Sequence, residues 1–576
     1  MGPFLRAAAA CVALSLPLLA NAQNARATVE RQTRFGPVIG TDDSATTGTY
    51  SWKGVPFAKA PVGDLRWRPP VDPVRWHEAR KTQAFGNACV QYGRIYGPGS
   101  NNRFDQTIGQ TLFQAVGQED CLYLNIWRPA HPRGGMPVIV FVHGGSDVSG
   151  YTADPVYDGA ALARAADAVV VTVNYRLGIF GFLNQTALKT GDPATDSGNF
   201  ALLDLVKALE FVQADIPKFG GDPSNVTLMG QSAGAINVWA LMASPLVVQH
   251  QPQLFHRAVP LSGGISMASN LPAGSLPTLA PAATYKLQGD ALLQLRLIAA
   301  GRATNAAEAD AWIASNGSTQ AAEFLRSQSP ASLFATLLFS TMPAQGLAGS
   351  GPIPDGFVLA SDPIEAVKAG QYLRVPVLAG NTRDEGKLFP TLLGARIPLD
   401  AQLFAKQFTY DPEAAPQVTL EDWIPARFLP VTAPLTGFNA QTEFVNRIFF
   451  LRSRDNIMDA LKTQQRDLWY YRFDWDEQPA PWNDIYGAAH LYDLPFLFGT
   501  FGPSLFGNVS FNKANEPGRL ELSKAMMRSL GAFARNGDPN APEALGVTWP
   551  TWPGALVFDA TKTGKAISTR PNIKLE

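Results

Sequence analysis

The run Val226-Thr227-Leu228-Met229-Gly230-Gln231-Ser232-Ala233-Gly234 decides how this chain is read. Val226 to Met229 is a short apolar, β-branched stretch of the kind that forms a strand buried on both faces. A Gly-x-Ser-x-Gly turn follows, and a helical pattern opens at Ala233 and runs to Met242. The five-residue pattern alone is a weak signal; a strand before it and a helix after it strengthen it. A serine on such a turn is held in a strained backbone conformation with its Oγ exposed above the sheet. Side chains two residues before or after it would crowd the turn, which is why both positions are glycine.

Working outward, other short apolar runs end in loops or turns: Pro137 to Val142, Ala168 to Val173, Ala258 to Leu261, Val375 to Ala379 and Trp469 to Phe473. Helical patterns such as Leu202 to Phe211 lie between them. Strand alternating with helix predicts an α/β fold, a large mostly parallel sheet with helices on both faces. Ligands in such sheets bind at the carboxyl ends of the strands. Residues near 270–350 and 395–460 read as helical excursions that wall a substrate cleft. Tyr96 to Phe104, rich in Gly, Ser and Asn, reads as a mobile surface loop.

The chain of 576 residues is 46% hydrophobic and 16% charged, which permits a large core and excludes wholesale disorder. Lys+Arg 47 against Asp+Glu 48 argues against a protein that coats nucleic acid or clings to anionic membrane. Met1 to Ala22 has the form of a secretory signal: Arg6, an apolar run too short to span a bilayer, and the small-x-small site Ala20-Asn21-Ala22 before Gln23. Cleavage there predicts a secreted or periplasmic protein made of one α/β domain, 23–576, without stable membrane insertion. It also removes Cys11 and leaves Cys89 and Cys121, an even pair that suggests a disulfide in an exported chain. Closing that loop is worth about 3–4 kcal/mol.

A serine hydroxyl needs a base. The chain has 6 histidines. In α/β hydrolases the chain order is serine, acid, histidine. His77, His131 and His143 precede Ser232, and His250 and His256 follow too closely for an acid-bearing strand to intervene. His490 remains, in the loop Tyr486 to Pro495. The imidazole needs an acceptor on Nδ1. Asp384 and Glu385 both lie just past the strand Val375 to Ala379, and spacing does not choose between them. His143-Gly144-Gly145-Ser146 closes a buried strand upstream, where backbone donors for an oxyanion belong, and Ala233 adds a donor after the nucleophile.

Together these residues resemble the type-B carboxylesterase and lipase family, which includes the cholinesterases. Glu119 to Ile126, Asn174-Tyr175-Arg176-Leu177-Gly178, Phe219 to Thr227 and Phe533 to Pro539 are further family-like blocks, and the resemblance spans the mature chain. It implies an α/β-hydrolase fold and a cofactor-free, metal-free carboxylic ester hydrolase acting on small-molecule esters. It implies a triad of Ser232, Glu385 and His490, the glutamate being the acid that directly precedes a glycine, here Gly386. It implies an oxyanion hole of Gly145, Ser146 and Ala233, and a Cys89–Cys121 disulfide.

Departures narrow the reading. Ser146 stands where the family usually has glycine. Asp147 replaces an aromatic and is expected on the substrate side, disfavouring anionic acyl groups or orienting a polar substrate. Gln231 stands where cholinesterases carry a glutamate, and the Cys89–Cys121 loop has no tryptophan to stack a choline cation. Both argue against choline esters. Soluble esters are the favoured substrates. The alternatives are an interfacial lipase with a lid in the Cys89–Cys121 loop, and an inert binding protein on the same fold, which the presence of all three triad candidates disfavours.

Overall fold

A computed structural model describes residues 29–131, 133–389 and 400–575. The signal-peptide reading, Met1 to Ala22, falls outside the described residues. The frame is an eleven-stranded sheet. In chain order its strands are β1 (Thr41–Asp43), β2 (Thr49–Pro56), β3 (Tyr123–Pro129), β4 (Met136–Val142), β5 (Val169–Val173), β6 (Gly221–Gln231), β7 (Arg257–Leu261), β8 (Val377–Thr382), β9 (Leu468–Phe473), β10 (Ala555–Phe558) and β11 (Ser568–Arg570). In space they run β1-β2-β3-β5-β4-β6-β7-β8-β9-β10-β11. Pairing is parallel from β5 through β10 and antiparallel at both flanks.

The apolar runs form the middle of this sheet because both of its faces are covered. In β4, Met136, Val138, Val140 and Val142 enter one core while Ile139 and Phe141 enter the other. In β5, Val169, Val171 and Val173 face the first core and Val170 the second. Alternation at period two with apolar residues at every position is what a doubly covered sheet demands. The helices α1 (Ala160–Ala166), α2 (Phe200–Asp215) and α3 (Ala233–Met242) divide between these faces, α1 on the second core and α2 and α3 on the first.

The residues near 270–350 are helical, as α4 (Ala282–Ala299), α5 (Ala306–Arg326) and α6 (Pro330–Phe339), and bury a separate cluster that includes Leu292, Leu325 and Phe334. Later, Phe438–Val445 passes through a π-helical turn, Asn446–Leu451, into α7 (Arg452–Lys462). The helix α8 (Glu516–Asn536) covers the second core.

The flanking strands β1, β2, β3, β10 and β11 are absent from the sequence reading. They are short or mixed in polarity, and β11 is exposed throughout, so they lack the apolar run that marks a central strand. The segment Tyr96 to Phe104, expected as a mobile surface loop, is anchored at both ends: Tyr96 stacks on Phe506 with ring centroids 6.2 Å apart, and Phe104 lies 5.2 Å from Phe408. Aromatics at its two ends outweigh the Gly, Ser and Asn between them. The Cys89–Cys121 disulfide is formed, with both residues buried. Among the described residues, no helix is long and apolar enough to cross a membrane.

Candidate active site

The carboxyl ends of β4, β6 and β8 carry the chemistry. β6 ends at Gln231 and α3 starts at Ala233, so Ser232 makes the whole turn by itself. Its φ of 59° and ψ of −123° are strained for an L-residue. Neighbouring strands hold it there. Ser232 N donates to Leu261 O at 2.8 Å, and its carbonyl accepts from Ala235 N at 2.9 Å and Ile236 N at 3.1 Å. The two glycines of the motif are sterically required: a Cβ on Gly230 would sit 2.3 Å from Gly234 O, and one on Gly234 would sit 2.2 Å from Val142 O.

Of the two acids past β8, Glu385 is the one that meets the histidine. Its Oε2 is 2.5 Å from His490 Nδ1, and its Oε1 accepts from Asn381 Nδ2 at 2.9 Å and Thr382 N at 2.8 Å. The residue is completely buried, so its charge is balanced by these donors rather than by water. Asp384 braces the site instead. Its N–H donates to Ala488 O at 2.9 Å and its carboxylate accepts from Ala488 N at 3.0 Å, which ties the acid loop to the histidine loop. Burial alone would raise the Asp384 carboxyl, but Lys387 and Arg383 beside it hold it below the usual range.

His490 is buried, with the rings of Phe389 and Phe450 at 5.0 Å and 5.2 Å. Its Nε2 lies 3.0 Å from Gln231 Nε2. Because Nδ1 faces a carboxylate, the neutral ring carries its proton there and presents Nε2 as an acceptor. The Gln231 amide N–H therefore donates to it. Among the described residues, Ser232 Oγ makes no hydrogen bond, a common state of a resting site.

The loop after β4 supplies backbone donors. Gly145, Ser146 and Asp147 all have positive φ, at 107°, 57° and 56°. Among the described residues, the N–H groups of Gly145, Ser146 and Ala233 donate to no protein acceptor. Unpaired donors beside a strained serine are what an oxyanion site requires.

Asp147 and Gln231, expected on the substrate-binding surface, are each only 2% exposed, and both side chains are engaged by protein groups. Gln231 contacts His490, and Asp147 Oδ1 accepts from Asn237 Nδ2 at 2.8 Å and from Tyr175 Oη at 3.2 Å. Burial drives the Asp147 carboxyl up to about 7 against the pull of those two donors.

Sequence reasoning passed over Tyr175, Asn237, Asn381 and Asp493. Asn237 sits one helical turn past Ala233, the only sequence cue to it. Asp493, three residues after His490, is fully buried and accepts from Tyr471 Oη at 2.6 Å, while its Oδ1 has no partner among the described residues. Burial pushes it up to about 6, against the pull of Tyr471. The folded value lies above the unfolded one, so the stability this group contributes is complete below the ordinary carboxylate range and is lost as pH rises towards about 6. Asp493→Asn, permanently neutral, is therefore expected to unfold at higher temperature than wild type near about pH 8, by up to about 3 kcal/mol, and to match it near about pH 4. Melts at the two pH values check this; an equal difference at both refutes it.

Comparison with known proteins identifies the family. The sequence profile described as "Carboxylesterase family" matches residues 27–571. Fumonisin B1 esterase of Sphingopyxis macrogoltabida is 32% identical over 92% of this chain and 85% of its own length. Para-nitrobenzyl esterase of Bacillus subtilis is 30% identical over 90% of this chain and 92% of its own. Among solved structures, a Geobacillus stearothermophilus carboxylesterase superposes with a TM-score of 0.67 at 28% identity, covering 94% of this chain and 98% of that one.

Proposed function

The chain belongs to the carboxylesterase family and is a carboxylic ester hydrolase; we propose that Ser232, His490 and Glu385 carry the reaction through an acyl-enzyme. The observation that carries the reading is the Glu385–His490 pair at the carboxyl end of the sheet, where Ser232 occupies its strained turn. In the first step His490 Nε2 takes the Ser232 proton as Oγ attacks the ester carbonyl. Charge gathers on the carbonyl oxygen, where the N–H groups of Gly145, Ser146 and Ala233 receive it. His490 then protonates the leaving alkoxide. Water, deprotonated by His490, attacks the acyl-Ser232 and releases the acid. Glu385 remains ionised and steadies the imidazolium.

Soluble small or medium esters are the proposed substrates, after export directed by Met1 to Ala22. The relatives' names differ in the ester they specify, so the test is a panel: p-nitrophenyl esters from acetate to palmitate, with p-nitrobenzyl acetate added. Exposure to a phosphonate ester, followed by peptide mass mapping, is expected to place a single stoichiometric adduct on Ser232. Hydrolysis with the adduct elsewhere would sink the assignment.

One observation favours the interfacial alternative. Phe113 and Phe339 are 45% and 69% exposed and flank Tyr92 at 6.4 Å and 5.9 Å, inside and beside the Cys89–Cys121 loop. A jump in rate above the substrate's solubility limit would select it.

The Gln231 contact has a mechanistic consequence. Nε2 has one lone pair, so the Gln231 amide N–H must leave it before that atom takes the Ser232 proton.

A further inference from the structure

Tyr175 has one hydroxyl hydrogen and two acceptors, His143 O at 2.8 Å and Asp147 Oδ1 at 3.2 Å. His143 and Asp147 are the first and last residues of the loop whose middle carries the Gly145 and Ser146 donors. An ionised Asp147 makes the two acceptors share that one hydrogen; a protonated Asp147 carboxyl donates to Tyr175 Oη instead and leaves the Tyr175 hydrogen wholly to His143 O. The loop needs such a clamp. Ser146 and Asp147 are consecutive non-glycine residues in the left-handed region, which persists only where surroundings enforce it.

The rest of the clamp is visible. Asp147 O accepts from Gly178 N at 2.6 Å and Ser350 Oγ at 3.2 Å, and Asn237 on α3 donates to the carboxyl. We infer that Asp147 is a positioning residue that, as a neutral acid, bridges the two ends of the oxyanion loop through Tyr175 and thereby aims the Gly145 and Ser146 donors. The inference rests on the reading of that loop as the oxyanion hole.

The surroundings suit a neutral acid. Among the described residues, no lysine or arginine pairs with Asp147. The titratable groups facing the cluster are Tyr175 and, from α4, Tyr285, both raised by burial and by Asp147 itself. His143, stacked on Tyr175 with centroids 4.7 Å apart, is pushed down to about 4 by burial and is neutral. Above about pH 7 the Asp147 proton leaves. The carboxylate then competes with His143 O for the Tyr175 hydrogen, and one end of the loop is released.

The experiment is kcat and KM for p-nitrophenyl acetate from about pH 5.5 to about pH 9 in wild type, Asp147→Ala and Asp147→Asn. Asp147→Ala is expected to lose kcat by about 10²-fold with KM changed less than about threefold, because a misaimed donor acts on the transition state. In Asp147→Asn the NH₂ faces Tyr175 once the Asn237 amide turns its own Oδ1, unpartnered among the described residues, towards it, and the variant is expected to recover most of that loss near about pH 6. The ratio of its kcat to the wild-type kcat is expected to rise about tenfold above about pH 7. A ratio flat with pH, or a defect confined to KM or to thermal stability, overturns the inference. Should Asp147→Ala not fold, the Asp147→Asn ratio decides alone. If Ser232→Ala keeps hydrolysing the ester, the reading of the site fails and the inference falls with it; if Ser232→Ala is dead and the ratio is flat, only the inference fails.

Discussion

Ser232→Ala is expected to lower kcat for p-nitrophenyl acetate by about 10⁶-fold while leaving the melting temperature close to wild type. The loss is that of covalent catalysis itself: the turn without Oγ still binds ester and still presents three N–H donors, so a residue of catalysis over water persists. The fold is expected to survive. Among the described residues, Ser232 Oγ makes no hydrogen bond, so none is lost. The strained φ and ψ belong to the backbone and are no worse for alanine than for serine. The bonds holding the turn, to Leu261 O and from Ala235 N and Ile236 N, are all backbone. Steady-state rates on highly purified protein, with circular dichroism of the same sample, check both halves. Residual activity within about a hundredfold of wild type would mean another nucleophile.

Glu385→Gln is expected to cost about 10⁴-fold in kcat, again without unfolding the protein. Donors and acceptors decide the outcome. Glu385 Oε1 already receives Asn381 Nδ2 and Thr382 N, so a glutamine there keeps its oxygen on those donors and turns its NH₂ towards His490. That N–H must meet an unprotonated Nδ1, which drives the ring proton to Nε2. The ring then has nothing with which to accept the Ser232 proton, and its new N–H points at the Gln231 amide. The flipped amide is no better, since it would set NH₂ against two buried donors. Asp384→Asn serves as the contrast. It loosens the tie to Ala488 and the pairing with Arg383, and is expected to cost stability and less than about tenfold in kcat. Equal rate losses in the two variants would refute the assignment of the acid.

Much of this was legible beforehand, and the reasons differ from element to element. The central strands stood out because a sheet covered on both faces admits few polar residues; β4 and β5 are buried at every position. The Ser232 turn stood out because a Cβ at Gly230 or Gly234 would strike backbone atoms about 2 Å away, so composition there is constrained locally. The flanking strands did not stand out. Antiparallel, β2 and β3 carry the buried polar residues Thr49, Ser51, Asn125 and Arg128 alongside their apolar ones, and β11 is exposed throughout.

The candidate site divides along the same line. By itself the sequence determined the Ser232 turn, the strand ends that carry Ser232 and the two acids, and the even cysteine pair, because those follow from hydrophobic runs, turn sterics and counting; the chain order of α/β hydrolases then left His490 as the base. Spacing left two adjacent acids open and the family resemblance chose Glu385; the tertiary structure shows how that one, and not Asp384, meets His490. Successive side chains at that turn face opposite ways, and the pairing with Ala488 turns Asp384 aside and Glu385 inward. Only the tertiary structure took Asp147 and Gln231 out of the substrate's path. Their partners, Tyr175 and Asn237 for one and His490 for the other, lie 28, 90 and 259 residues away. A buried polar group takes whatever donor or acceptor the packed neighbours bring within about 3 Å, and no local pattern of residues encodes that meeting.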